Sequence, residues 1–127
     1  TLDVQIAYQT GGGTLSDWSA TETVDTSTAA LPPLMPTGLS AVDNGTTPDG
    51  ATVQWNNGAN VTDAVVYIGG ASDAFPGTGN SGDLTATPGT TQNHNYLTAA
   101  GSYRIWVTNK NAAGESDPAG PVAVTVV

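Results

Sequence analysis

The run Leu97-Thr98-Ala99-Ala100-Gly101-Ser102-Tyr103 narrows the possible folds more than any other part of this chain. It continues into Arg104-Ile105-Trp106-Val107 and then into the small polar stretch Asn111-Ala112-Ala113-Gly114-Glu115-Ser116. A leucine, a tyrosine six residues later, an alternating strand and a turn make the chemistry of a β-sandwich corner. There the tyrosine ring packs inward and its hydroxyl donates to backbone just upstream. A buried hydroxyl with no partner costs about 1–3 kcal/mol, so Tyr103 is expected to find an acceptor in the preceding turn.

The rest of the C-terminal region reads as short strands. Leu39 and Val42 belong to a first strand, Val53 and Trp55 point inward on a second, and Ala64 to Ile68 form a third. Asp83 to Thr87 supplies a short edge strand, Asn93 to Leu97 leads into the corner, and Tyr103 to Thr108 follows it. In the final strand Val122, Val124 and Val126 share one face by strict alternation. Asp43-Asn44-Gly45, Asp49-Gly50 and Asn57-Gly58 are turn signals, because Asn and Gly accept positive φ. The glycine-rich stretch Gly69–Gly82, with Phe75 as its one long apolar group, reads as a mobile loop.

These residues resemble a fibronectin type III domain. Pro36-Thr37-Gly38-Leu39-Ser40-Ala41 fits the family's opening strand, and Ala51-Thr52-Val53-Gln54-Trp55 carries its core tryptophan. Tyr103, Ile105, Val107, Gly114 and Ser116 match its tyrosine strand and the turn that follows, with Asn109 where the family commonly has a small residue. The resemblance implies an all-β, fibronectin type III-like antiparallel β-sandwich over residues 36–127. An extended N-terminal arm and Pro-rich connector, residues 1–35, would precede it.

That arm has its own pattern. Leu2, Val4, Ile6 and Tyr8 alternate with Asp3, Gln5, Ala7 and Gln9, a period of two that reads as a half-buried strand. Gly11-Gly12-Gly13 supplies a hinge, and Thr14 to Ala30 is polar apart from Leu15, Trp18 and Val24. Leu31-Pro32-Pro33-Leu34-Met35-Pro36 favours an extended, semi-rigid connector. A lone strand with an apolar face is unstable, so it must join a sheet edge, on its own sandwich or in trans on another chain. Leu2, Val4, Ile6, Tyr8 and Trp18 are the expected partner contacts.

Eleven acidic residues against Arg104 and Lys110 give a net charge of −9. Nucleic acid and anionic membranes are bound mainly through Lys and Arg, so neither is an expected partner. No apolar run approaches the roughly 20 residues that span a bilayer. His94, the single histidine, is expected on the surface or in a loop, with no nucleophile or orienting partner marked by a motif. The one histidine and absent cysteines leave zinc without ligands. Asp43, Asn44, Asp49, Asp73 and Asp83 offer oxygen for calcium, but their spacing fits no EF-hand and matches ordinary turn chemistry. No catalytic residue, cofactor or metal ligand is therefore assigned, and the chain is read as a non-enzyme.

Three aromatics remain as possible surface or ligand contacts. Trp106 is out of phase with Ile105 and Val107 and is expected to face outward; Tyr67 and Phe75 are its candidate companions. They could form a small sugar platform, a cross-strand aromatic pair or a patch covered by a neighbouring subunit. Asn44-Gly45-Thr46 and Asn60-Val61-Thr62 match glycosylation acceptors, relevant only after secretion.

Small sandwich domains similar to this one recur on tailed-bacteriophage surfaces. By that analogy the expected role is a structural virion protein of the capsid decoration or cement type. Its partners would be other virion proteins, the major capsid protein above all, and itself as a homo-oligomer on the virion surface. The alternative is an accessory module of a secreted bacterial protein that attaches to polysaccharide or cell surface, including a host-surface glycan.

Overall fold

A computed structural model describes residues 31–127, together with the backbone of Leu2–Val4 and Glu22–Val24. Among the described residues every regular element is a strand. In chain order they are β1 (Leu2–Val4), β2 (Glu22–Val24), β3 (Thr37–Asp43), β4 (Gly50–Asn56), β5 (Asp63–Gly70) and β6 (Gly79–Asn80). β7 (Leu84–Thr85), β8 (Thr91–Leu97), β9 (Gly101–Asn111), β10 (Gly114–Glu115) and β11 (Ala119–Val126) follow.

Two antiparallel sheets face each other. One is three-stranded, in the order β3-β4-β8; the other is six-stranded, with β9 between β5 and β11 and with β6, β7 and β10 as short flanking strands. The alternation of Ala51, Val53 and Trp55 on β4 meets that of Ala64, Val66 and Ile68 on β5. Ile105 and Val107 of β9 and Val124 and Val126 of β11 complete the interior. Leu39, Ala41, Leu84, Tyr96 and Tyr103 pack around its margin. This layering and strand order are compatible with an immunoglobulin- or fibronectin type III-like domain.

The corner forms as its residues require. Tyr103 Oη donates to Ala99 O at 2.9 Å. The ring lies over Gly101, where an added Cβ would come within 3.1 Å of the hydroxyl. Leu97, six residues before the tyrosine, is 57% exposed and takes no share of the core. Val42 likewise sits on β3 but on its solvent face, 61% exposed, because alternation along the strand turns Leu39 and Ala41 inward and the residues between and after them outward.

The stretch expected to be a mobile loop is a built hairpin. Gly70 N donates to Asp73 Oδ2 at 2.7 Å, Asp73 N to Gly70 O at 3.0 Å and Thr78 N to Ile68 O at 2.9 Å. β6 then pairs with Tyr67 and Ile68, and Ser81 exchanges two hydrogen bonds with Val66. Gly77 holds φ +77° against Ile68 O, a place with no room for a side chain.

The connector is also tied down. Leu34 N donates to Ala59 O at 3.1 Å, Asn109 Nδ2 to Leu34 O at 3.0 Å and Asn111 Nδ2 to Leu31 O at 2.5 Å. Pro33 and Pro36 are buried, so residues 31–36 lie along the sandwich and do not stand off it. The opening strand has a partner that periodicity did not anticipate: β1 pairs antiparallel with β2, Leu2 opposite Val24 and Val4 opposite Glu22.

Replacing Tyr103 by Phe keeps the ring and removes the bond to Ala99. The expected loss is about 1 kcal/mol of unfolding free energy, read as a lower urea midpoint at unchanged slope.

Candidate functional site

The three aromatics singled out from the sequence do come together. Tyr67 and Trp106 are directly paired across β5 and β9, and both point away from the sandwich interior. Phe75, carried over them by the 70–78 hairpin, meets Tyr67 edge-on with ring centroids 4.9 Å apart and Trp106 at 6.1 Å. The consequence differs from the expectation for Trp106. It faces outward from the core, but the chain's own hairpin covers it, and it is 3% exposed. Phe75 is the outermost ring, at 39%. Such edge-to-face pairs contribute about 0.5–1.5 kcal/mol each beyond their buried area, so the cluster holds the hairpin down.

Polar groups extend this covered layer. Thr108, fully buried on the same face of β9, donates to Glu115 Oε1 at 2.5 Å, and Tyr67 Oη donates to the same oxygen at 2.5 Å. Glu115 reaches this position because β10 folds back on β9, opposite Lys110. Burial, and then the neighbouring Glu115 carboxylate, push the Tyr67 phenol up to about 12. Beside it Lys110 Nζ meets Asp83 at 2.7 Å, and that carboxylate raises the ammonium above its usual range. Arg104 donates to Asp73 O at 3.0 Å, a further clamp on the hairpin. The carboxylate and phenol here satisfy one another, and the arrangement offers no activated nucleophile and no base aimed at an open space.

His94 lies neither in a loop nor on the outer surface. It sits on β8 opposite buried Val53, on the inward side, edge-on to Tyr96 at 6.2 Å. Burial lowers its pKa from the ordinary 6.5. The acidic turn residues are scattered: Asp73 caps the 70–78 hairpin, Asp83 pairs with Lys110, and Asn44 bridges Pro48 O and Asn95 Oδ1. Among the described residues no group of three or more His, Cys, Asp or Glu side chains is placed to hold a metal ion. Of the expected arm contacts, Leu2 and Val4 fall in β1, whereas Ile6, Tyr8 and Trp18 lie outside the described residues.

Several residues with structural weight were not singled out in advance. Asn57, buried, accepts from Trp55 Nε1 at 2.7 Å and donates to Gln92 Oε1 at 2.9 Å, linking the core tryptophan to the edge strand. In the sequence it is only the first half of an Asn-Gly turn. Asn109, marked in the sequence only as a departure from the family's small residue, and Asn111 clasp the connector. The chain matches no model of a known protein family, and a search of curated proteins returns no match.

Two outcomes test this site. Phe75→Ala uncovers Trp106, so tryptophan emission should shift to longer wavelength, with a stability loss below the ~3–5 kcal/mol typical of a buried phenylalanine. For His94 the unfolded chain takes up a proton near pH 6.5 before the folded one does. Its contribution is therefore complete above that value and is lost as pH falls towards the lowered folded pKa. Urea midpoints measured from pH 7.5 to 5.5 should decline, and His94→Gln should flatten the decline.

Proposed function

We propose that this chain is a non-enzymatic structural protein of a tailed-phage virion, of the capsid decoration or cement type. In this reading a fibronectin type III-like domain is displayed on the virion surface and an N-terminal arm docks it to other virion proteins. The observation that carries the reading is the opening alternation of Leu2, Val4, Ile6 and Tyr8, ahead of a triglycine hinge. A strand of this kind binds by addition: main-chain hydrogen bonds supply affinity, and pockets for alternate side chains supply register. The pairing of β1 with β2 is compatible with it, since a two-stranded ribbon leaves each strand one edge unpaired among the described residues. Seven of the eleven acidic residues lie in the displayed domain against Arg104 and Lys110, and this acidic excess keeps it soluble and repelled from packaged nucleic acid.

Two further features favour display over catalysis or sugar binding. Tyr67, Phe75, Thr108, Glu115 and Arg104 are occupied in holding the domain's own hairpins. Trp106, the ring on which a polysaccharide-binding module would depend, has almost no surface left to stack on a sugar.

The test places Val4→Asp and Ile6→Asp together in the full chain and follows the protein in virions made with it. Incorporation should fall about tenfold or more, equivalent to ~1.4 kcal/mol or more of lost binding. The thermal unfolding of the purified chain should still be cooperative. Undiminished incorporation would refute docking through the arm.

A further inference from the structure

We propose that β8 is a self-association edge, pairing antiparallel with β8 of a second copy across a two-fold axis. Two three-stranded sheets would then run together as one continuous six-stranded sheet. This interface is independent of the docking role proposed above.

The edge is defined by the backbone. β8 pairs with β4 over all seven of its residues with no shift of register. Asn57 N donates to Thr90 O at 2.8 Å, and Thr98 N to Asp49 O at 3.1 Å, at the two ends of that ladder. Antiparallel hydrogen-bonded pairs alternate, so these two fix the phase. Gln92, His94 and Tyr96 bond to β4, and Thr91, Asn93, Asn95 and Leu97 turn their N–H and C=O groups to the other side. Among the described residues no strand pairs there, and none of those four residues has a backbone partner on that side.

Every other long strand has its outer edge disrupted or covered. β11 carries Pro121 and a bulge between Ala119 and Val122. β3 bulges at Gly38, which holds φ +62°, and packs beside β11. The outer edge of β5 is taken by β6 and β7. Edge strands that must stay single carry lysine, proline or a bulge; β8 has none of these.

Charge selects the occupant. From Leu84 to Tyr103 there is no Asp, Glu, Lys or Arg, in a chain of net charge −9. The solvent face of β4 and β8 presents Thr52, Gln54, Asn93 and Asn95, and Asp63, Asp73, Asp83, Glu115 and Asp117 belong to the opposite sheet and its turns. The carboxylates of the three-stranded side are Asp43, two strands from the edge on β3, and Asp49, just before β4. Two copies of so acidic a protein meet with least repulsion where the paired strands themselves carry no carboxylate. An antiparallel register centred on His94 sets Asn93 against Asn95 of the second copy and Thr91 against its Leu97. The same strand thus complements itself, as a two-fold contact requires.

Sedimentation equilibrium of the full chain over a concentration series should show the mass rising from monomer to dimer. Asn93→Pro deletes an outward N–H without touching the β4 ladder, and Asn93→Lys sets a charge beside the seam. Each should weaken the dimer at least tenfold. Independently of any variant, the amides of Asn93 and Asn95 should exchange with solvent at least tenfold more slowly in dimer than in monomer. A chain that stays monomeric up to about 1 mM, corresponding to binding weaker than ~4 kcal/mol, overturns the proposal. So does a dimer that survives both variants with those amides unprotected. A dimer that dissolves on Val4→Asp with Ile6→Asp would overturn it as well, by assigning the contact to the opening strand.

Discussion

The pairing of β5 with β9 is covered on both faces, and the rest of the molecule is arranged around that fact. One face, with Val66, Ile68, Ile105 and Val107, closes on the three-stranded sheet. The other, with Val65, Trp106 and Thr108, closes under the chain's own hairpins. A sheet buried on one side needs only alternation, but one buried on both needs apolar groups at successive positions. Val65-Val66-Tyr67-Ile68 and Ile105-Trp106-Val107 are such runs. They explain why the stretch from Gly69 to Gly82 is shaped as it is. It must return over β5 and β9 and deliver Phe75 onto Trp106, which its glycines, its Asp73 cap and the Arg104 contact allow.

The same fact marks how far the sequence could be read. Strand identities and the corner were legible, because Val53/Trp55 and Val124/Val126 alternate cleanly and Tyr103 has an acceptor within its own turn. Trp106 was assigned the right face and the wrong environment. Alternation reports which side of a sheet a residue occupies; it does not report what chain returns to cover that side. The glycines of the 70–78 hairpin misled in the complementary way. Glycine signals both mobility and close backbone approach, and Gly77 is there because Ile68 O leaves no space for a Cβ. Asn57 and Asn109 were opaque for a third reason. An amide in a turn motif, or at a strand's inward position, acquires its meaning from partners far away in sequence, here Gln92 and Leu34.

Side-chain amides also fix the connector against the sandwich. Pro33 and Pro36 supply stiffness, but it is the amides of Asn109 and Asn111 that fix Leu31 and Leu34 against the sandwich. An arm anchored in this way leaves the domain from a defined point, beside Ala59 and Asn60.

The two sheets are finished in opposite ways. The six-stranded sheet gathers aromatic covering, the Asp83–Lys110 pair and Glu115, so its outer face is both closed and charged. The three-stranded sheet carries amides and hydroxyls in the open and no charge along β8. Stability alone does not require this division, because surface charges contribute little wherever they sit. Association does depend on it. A uniformly acidic surface repels every acidic neighbour equally, whereas one with a neutral strand edge lowers the barrier along a single direction and raises it elsewhere. Under the proposed display and β8 pairing, such a domain would stay soluble at high local concentration and still meet a copy of itself in one orientation.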